Sequence, residues 1–208
     1  IQQEQIDVTN IIKTESQEAV VEAAPIGFYQ EQELVKLLFT YGDREIDIDG
    51  TDENNNPIIY KIIVASFIID DLKNDDLLFK DETHRIIFEI YDKALDDGIL
   101  PKQQFFVSHE NAKIAELAAN LLSSPYKLDN WEKKEIKVKT EEDVLSKLVI
   151  TSVLRFKDMV LDEKRNELTK QIMETENIDD QIILMVKKKR LDDLRIKINH
   201  ELGIVIAK

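Results

Sequence analysis

No proline or glycine occurs between residues 140 and 176, and this uninterrupted run constrains the fold more than any other feature. Thr140 with Asp143 three residues on is close to a capping box. Val144, Leu145, Leu148, Val149, Ser152, Val153 and Phe156 then fall on one face at helical spacing. The 37 residues make a rod of about 55 Å. A compact chain of 208 residues has a radius of gyration of roughly 17 Å, hence a diameter of about 43 Å. The rod outruns the globule it would serve. Beyond Phe156 the large apolar residues thin to Met159, Val160, Leu161, Leu168 and Ile172, set among many charges. The first half therefore reads as a core helix and the second half as a projection.

What precedes the rod can close a core around its first half. Residues 29–41 line Leu34, Leu37, Leu38 and Tyr41 on one face, and Gly42 supplies a stop. Residues 43–57 read as an exposed acidic insertion, with a strand-like alternation at Ile46-Asp47-Ile48-Asp49. Residues 58–72 are rich in β-branched side chains, but their length favours a buried helix. Asp81 or Thr83 caps a helix bearing Ile87, Ile90, Tyr91, Ala94 and Leu95, which ends at Gly98. A short turn of helix follows Pro101, and residues 111–122 repeat the pattern with Ile114, Leu117, Ala118, Leu121 and Leu122. The expected fold is all-α: an N-terminal helical bundle joined by a long helix to a C-terminal two-helix hairpin. Residues 1–26 are polar with no continuous apolar face and read as a linker. Residues 27–158 form the bundle, and residues 159–208 form the projecting helix end with the hairpin. A start at Ile1 reads as a fragment of a longer protein.

Charge and residue usage remove several function classes. Residues 1–139 carry 15 Lys and Arg against 28 Asp and Glu, a balance of −13, whereas residues 140–208 carry 13 against 14. An acidic body argues against wrapping nucleic acid, which needs a dense phosphate-neutralising surface. Zero cysteines mean no thiolate metal site and no cysteine nucleophile, with a cytoplasmic origin as the default. No apolar run is long enough to span a membrane. His84, His109 and His200 are far apart and read as surface or capping residues. The acids Asp47, Asp49 and Asp52 around Gly50 miss the spacing of a calcium loop, in which Gly is sixth and Glu twelfth. A metal-dependent hydrolase built on Asp47 and Asp49 is the lesser, enzyme alternative, without a Gly-rich loop to support it. The expectation is no catalytic residue, no metal and no cofactor.

The terminal hairpin holds the best candidate site. Asn177 interrupts the long helix, Asp179 and Asp180 suit the N-terminal dipole of a second one, and Gly203 can end it. Leu184, Leu191, Leu194 and Ile198 form a stripe that can pack on Leu161, Leu168 and Ile172. Ile178, Ile182, Ile183, Met185 and Val186 exceed what a lone hairpin can bury, and such surplus apolar surface marks a partner site. Lys188, Lys189 and Arg190, preceded by Lys187, point nearly all round a helix, so part of that run is expected to meet an acidic partner surface.

Several strings resemble a known family. Phe105-Phe106-Val107-Ser108-His109-Glu110, Leu121-Leu122-Ser123-Ser124-Pro125-Tyr126, Trp131-Glu132 and Leu148-Val149-Ile150 through Ser152-Val153-Leu154-Arg155-Phe156 are similar to the C-terminal helicase-binding domain of bacterial DNA primase, the DnaG type, particularly from the Bacteroidetes group. Tyr29 through Leu38, followed by Tyr41-Gly42, resembles the start of that domain. The resemblance spans roughly residues 28–208 and rests on order and spacing rather than on any catalytic motif. It implies a module that docks primase on the hexameric replicative helicase (DnaB type) in the bacterial cytoplasm. Zinc and magnesium, like the polymerising activity, would belong only to upstream domains of the parent. A self-associating helical scaffold is the alternative from a different class.

Overall fold

The computed structural model describes residues 25–53, 55–123 and 141–203. The expected linker over residues 1–26, apart from Pro25 and Ile26, and the cap at Thr140 lie outside them. The described chain is mostly α. In order it runs α1 (Phe28–Tyr41), β1 (Glu45–Thr51), β2 (Pro57–Ile63), α2 (Val64–Asn74), α3 (Glu82–Asp97), α4 (Gln103–Val107), α5 (Ala112–Ser123), α6 (Glu141–Glu174) and α7 (Ile178–Glu201).

α1 is the hub of the bundle. Leu34, Val35, Leu37 and Leu38 are fully buried, and the helix packs against α2, α3, α5 and α6. Leu145, Val149, Val153 and Phe156 of α6 complete the core, at the spacing that the sequence set. Aromatic rings fill the gaps between helices: Phe79 meets Phe156 edge-on at 5.5 Å, and Tyr91 stacks on Phe106 at 5.4 Å. The Tyr91 hydroxyl donates to the Leu38 carbonyl at 2.8 Å, and burial pushes its pKa well above the ordinary tyrosine value.

The run over residues 58–72 is a strand followed by a helix, not one helix. Its isoleucines pair antiparallel with β1 in a two-stranded ribbon, with Ile46 opposite Ile62, Ile48 opposite Tyr60 and Asp49 opposite Ile59. β-branched side chains suit that pleated surface. α2 can begin abruptly at Val64 because Val64 N–H donates to Arg44 O and Ala65 N–H to Gly42 O. The loop ahead of β1 thus satisfies two donors that a helix N-terminus leaves orphaned. Glu45–Thr51 is accordingly a strand of the ribbon, and the Asp52 N–H donates to the Asn56 carbonyl where the two strands join, so the acidic stretch is not a loose insertion.

Gly42 ends α1 for a different reason than the one expected. Its φ is −53°, not left-handed. A Cβ there would come within 2.5 Å of Leu38 O and 3.2 Å of a Tyr91 ring carbon, so glycine allows close approach. Gly98, with φ 71°, is the left-handed stop that the sequence predicts.

His84 is also corrected. It is 1% exposed, with its ring 4.9 Å from Phe28 and its Nδ1 3.1 Å from a carboxylate oxygen of Glu31. Glu31, equally buried, accepts the backbone N–H groups of Lys80 at 2.7 Å and Asp81 at 3.1 Å. The Asp81 side chain caps α3 by accepting the His84 N–H at 2.9 Å. His109 takes the capping role expected of it, accepting the Asn111 N–H at 3.0 Å ahead of α5, and His200 is exposed.

α6 has 34 residues and so measures about 51 Å. Side chains tie its first half to the bundle. Ser152 Oγ donates to Glu33 at 2.9 Å, and Lys157 lies 2.5 Å from Asp71 and 2.7 Å from Asp75. Among the described residues, the ion pair farthest along α6 that reaches the bundle is Lys80–Glu163, at 2.6 Å. Eleven more residues carry the helix about 16 Å past that point, with α7 folded back along it.

Candidate docking surface

Asn177 makes the hairpin. Its side chain accepts the Asp179 N–H at 2.9 Å and caps α7. Gln181 Nε2 reaches back to the carbonyl of Thr175 at 2.5 Å and closes the turn. At the other end Gly203, with φ 69°, follows the last turn of α7.

The seam between α6 and α7 alternates in character. At one heptad position stand Leu161 and Leu168 on α6, and Leu184, Leu191 and Ile198 on α7, all half-buried. At the other stand Asp158, Arg165 and Ile172, facing Gln181, Lys188 and Arg195. Arg195 forks onto Asp158, with Nε–Oδ1 2.8 Å and Nη2–Oδ2 3.1 Å, and also donates to Asp162. The Asp158 hydrogen bond holds the Arg195 guanidinium above its ordinary pKa. Asn199 adds a donor to Asp158 at 3.2 Å. One heptad nearer the turn, Asp192 lies 3.1 Å from Arg165 and 3.2 Å from Lys188.

This register decides which side of α7 is left over. Ile178, Ile182 and Val186 recur every four residues on the side away from α6, with Met185 and Ile183 flanking them. These five are 48–71% exposed, and Met173 near the end of α6 is 79% exposed. The structure thus gathers the predicted apolar residues on one open face. Lys189 and Arg190 continue that face and are exposed, as is Lys187 beside them. Lys188 does not join them, because it turns into the seam toward Asp192. Leu194 is corrected in the other direction: expected in the packed stripe, it is 47% exposed, since it falls off the seven-residue spacing of Leu184, Leu191 and Ile198.

Sequence reading missed the charged half of the seam. The signal was present as the i+7 spacing of Asp158 and Arg165 on one helix and of Lys188 and Arg195 on the other. A groove of about 320 Å³ at the root of the hairpin is lined by Ile26, Met159, Leu202 and the acids that Arg195 engages. The Asp47 and Asp49 carboxylates lie on the ribbon, with Lys61 3.9 Å from Asp47. Among the described residues no three His, Cys, Asp or Glu side chains gather as a metal site, and no helix is long and apolar enough to cross a membrane.

Residues 15–205 match the family described as Domain of unknown function (DUF8430). No curated protein and no solved structure matches the chain.

Proposed function

We propose, from the premise that the chain belongs to the DUF8430 family and from the surfaces it displays, that it is a docking module whose terminal hairpin binds a protein partner. The partner is the hexameric replicative helicase of the DnaB type, and the parent protein is a bacterial primase acting at the fork in the cytoplasm. The observation that carries this reading is the open apolar face of α7, Ile178, Ile182, Ile183, Met185 and Val186, held away from the bundle on a long helix. Exposed apolar surface of this kind, with methionine in it, suits an adaptable protein contact. The order of elements, bundle then long helix then hairpin, is the order the primase resemblance implies. On this reading the chain itself performs no catalysis, and zinc and magnesium serve upstream domains of the parent.

The test is binding of the matching helicase to the chain and to Ile182→Asp and Val186→Asp. Both side chains point to solvent, so circular dichroism and melting should stay unchanged. Loss of such an anchor typically costs about 2 kcal/mol or more, a drop in affinity of at least roughly 30-fold. Affinity equal to that of the unaltered chain in both variants would move the site off the hairpin. Absence of any binding by the unaltered chain would remove the helicase as partner.

A further inference from the structure

A second exposed surface mirrors the hairpin in sign. On the outer face of the ribbon, Glu45, Asp47 and Asp49 of β1 stand opposite Ile63, Lys61 and Ile59 of β2. Ile59 is 69% exposed, and Ile58 and Tyr60 on the reverse side are also open. From residue 43 to residue 63 the ribbon carries Asp43, Glu45, Asp47, Asp49, Asp52 and Glu53 against only Arg44 and Lys61, a balance of −4. The α7 face presents the converse: an apolar row followed by exposed Lys187, Lys189 and Arg190. Of its own acids, Asp179 and Asp180 lie at the far end of that row, while exposed Asp193 follows Arg190 on the same side and is itself followed by exposed Lys197. The ribbon therefore sets exposed Ile59 among carboxylates with a net negative balance, and the middle of α7 sets its apolar row beside a group with a net positive one.

The two cannot meet within one chain. The ribbon sits at the start of α6, where the Asp47 N–H donates to Ser146 Oγ at 3.2 Å. The heptad register that pairs Asp158 with Arg195 places Val186 level with about residue 167 of α6. Ser146 and residue 167 are separated by about 31 Å along the helix axis. Contact between complementary patches that far apart on one rod needs another molecule.

We infer that the acidic ribbon of one copy docks on the basic, apolar outer face of α7 in a second copy, head to tail. A contact between two different patches is heterologous, so it leaves a free ribbon at one end and a free α7 face at the other. Association is then open-ended, and it weakens as salt screens the charges. The small area of a two-stranded ribbon places it among weak, reversible contacts. A second copy and the partner in the proposed function compete for the same face of α7; the contact between copies stands on the two surfaces alone and does not depend on the identity of that partner.

Sedimentation of the full chain across a wide concentration range, at low and high salt, reads the contact directly. The expected result is growth beyond a dimer with concentration, reduced by salt. Two variants locate it: Glu45→Lys with Asp49→Lys on the ribbon, and Lys189→Glu with Arg190→Glu on α7. All four side chains are exposed, and circular dichroism checks that each variant folds. Each variant alone should associate at least about tenfold more weakly. Mixed in equal amounts they should associate again, because the intact ribbon of one meets the intact α7 face of the other. A chain that stays monomeric throughout, variants that associate as the unaltered chain does, or a mixture that stays monomeric would each overturn the inference.

Discussion

Glu31 and His84 show how a polar pair can be structural without leaving a local sequence signature. They stand 53 residues apart and meet only because α1 and α3 pack in the bundle. A glutamate on the buried side of a helix looks like a break in its apolar face. Here its carboxylate gathers the N–H groups of Lys80 and Asp81 and pins the start of α3. Removing it would orphan two backbone donors and the His84 ring. Glu31→Ala is expected to cost about 2–4 kcal/mol, read as a lower urea midpoint at unchanged slope. Glu31→Gln keeps an acceptor and should recover part of that loss. Lys157 offers a pH-dependent counterpart. Burial pulls its pKa down, but the hydrogen bonds that its ammonium donates to the Asp71 and Asp75 carboxylates outweigh this and hold it above the ordinary lysine value. A raised lysine pKa means that the stabilisation is complete below about pH 10.4 and is lost as pH climbs through the folded-state value. Lys157→Gln should therefore melt lower than the unaltered chain by a constant margin from pH 7 to 9. Because the pair is partly exposed, that margin is about 1 kcal/mol, and it should shrink above pH 10. A margin that grows with alkaline pH would contradict the clamp.

At the level of elements, legibility followed the range of the interactions. α1, α3, α5 and the first half of α6 carry strong helical periodicity, and the structure places them where that pattern does. The boundary inside residues 58–72 was hidden because isoleucine runs fit both a strand and a buried helix. The choice was made by β1, whose Ile46 and Ile48 supply the pairing register, and by Arg44 O and Gly42 O, which cap α2 from outside the run. The seam of the hairpin was half legible for a similar reason. Leucines at seven-residue spacing advertise packing, while aspartates and arginines on the same spacing look like solvated charge until the partner helix is in place. Such polar positions fix register at a cost in stability. Asp158→Ala should leave Arg195 and Asn199 short of an acceptor and loosen α7 by about 1–2 kcal/mol. Amide exchange along α7 should then be about tenfold faster or more. The paired change Asp158→Leu with Arg195→Leu removes both charges and should restore or exceed the original protection. Protection that stays as low in the pair as in the single variant would mean that the fork contributes more than the apolar layer replacing it.

Across the whole molecule, the described residues divide at a definite place on α6. Up to Phe156 its side chains are core, and Lys157 and Glu163 tie it to Asp71, Asp75 and Lys80. Past Glu163 the helix is a stem for α7, and the apolar layers there serve the hairpin alone. The bundle should consequently not need the hairpin. A chain covering residues 25–163 keeps the clamp, the Glu31–His84 pair and every aromatic contact described, so it should unfold in one cooperative transition. Its melting temperature should fall within a few degrees of that of the full chain. Ending instead at residue 150 would remove the core residues Val153 and Phe156, the second of which meets Phe79. That shorter chain should lose cooperative melting altogether, since a buried phenylalanine is worth about 3–5 kcal/mol, comparable to a large part of a domain's stability. The two truncations make opposite demands. If the rod only looked divided, both fragments would melt badly; if the bundle closed without α6, both would melt well. A cooperative transition in the longer fragment and none in the shorter is the outcome that puts the boundary between Phe156 and Glu163.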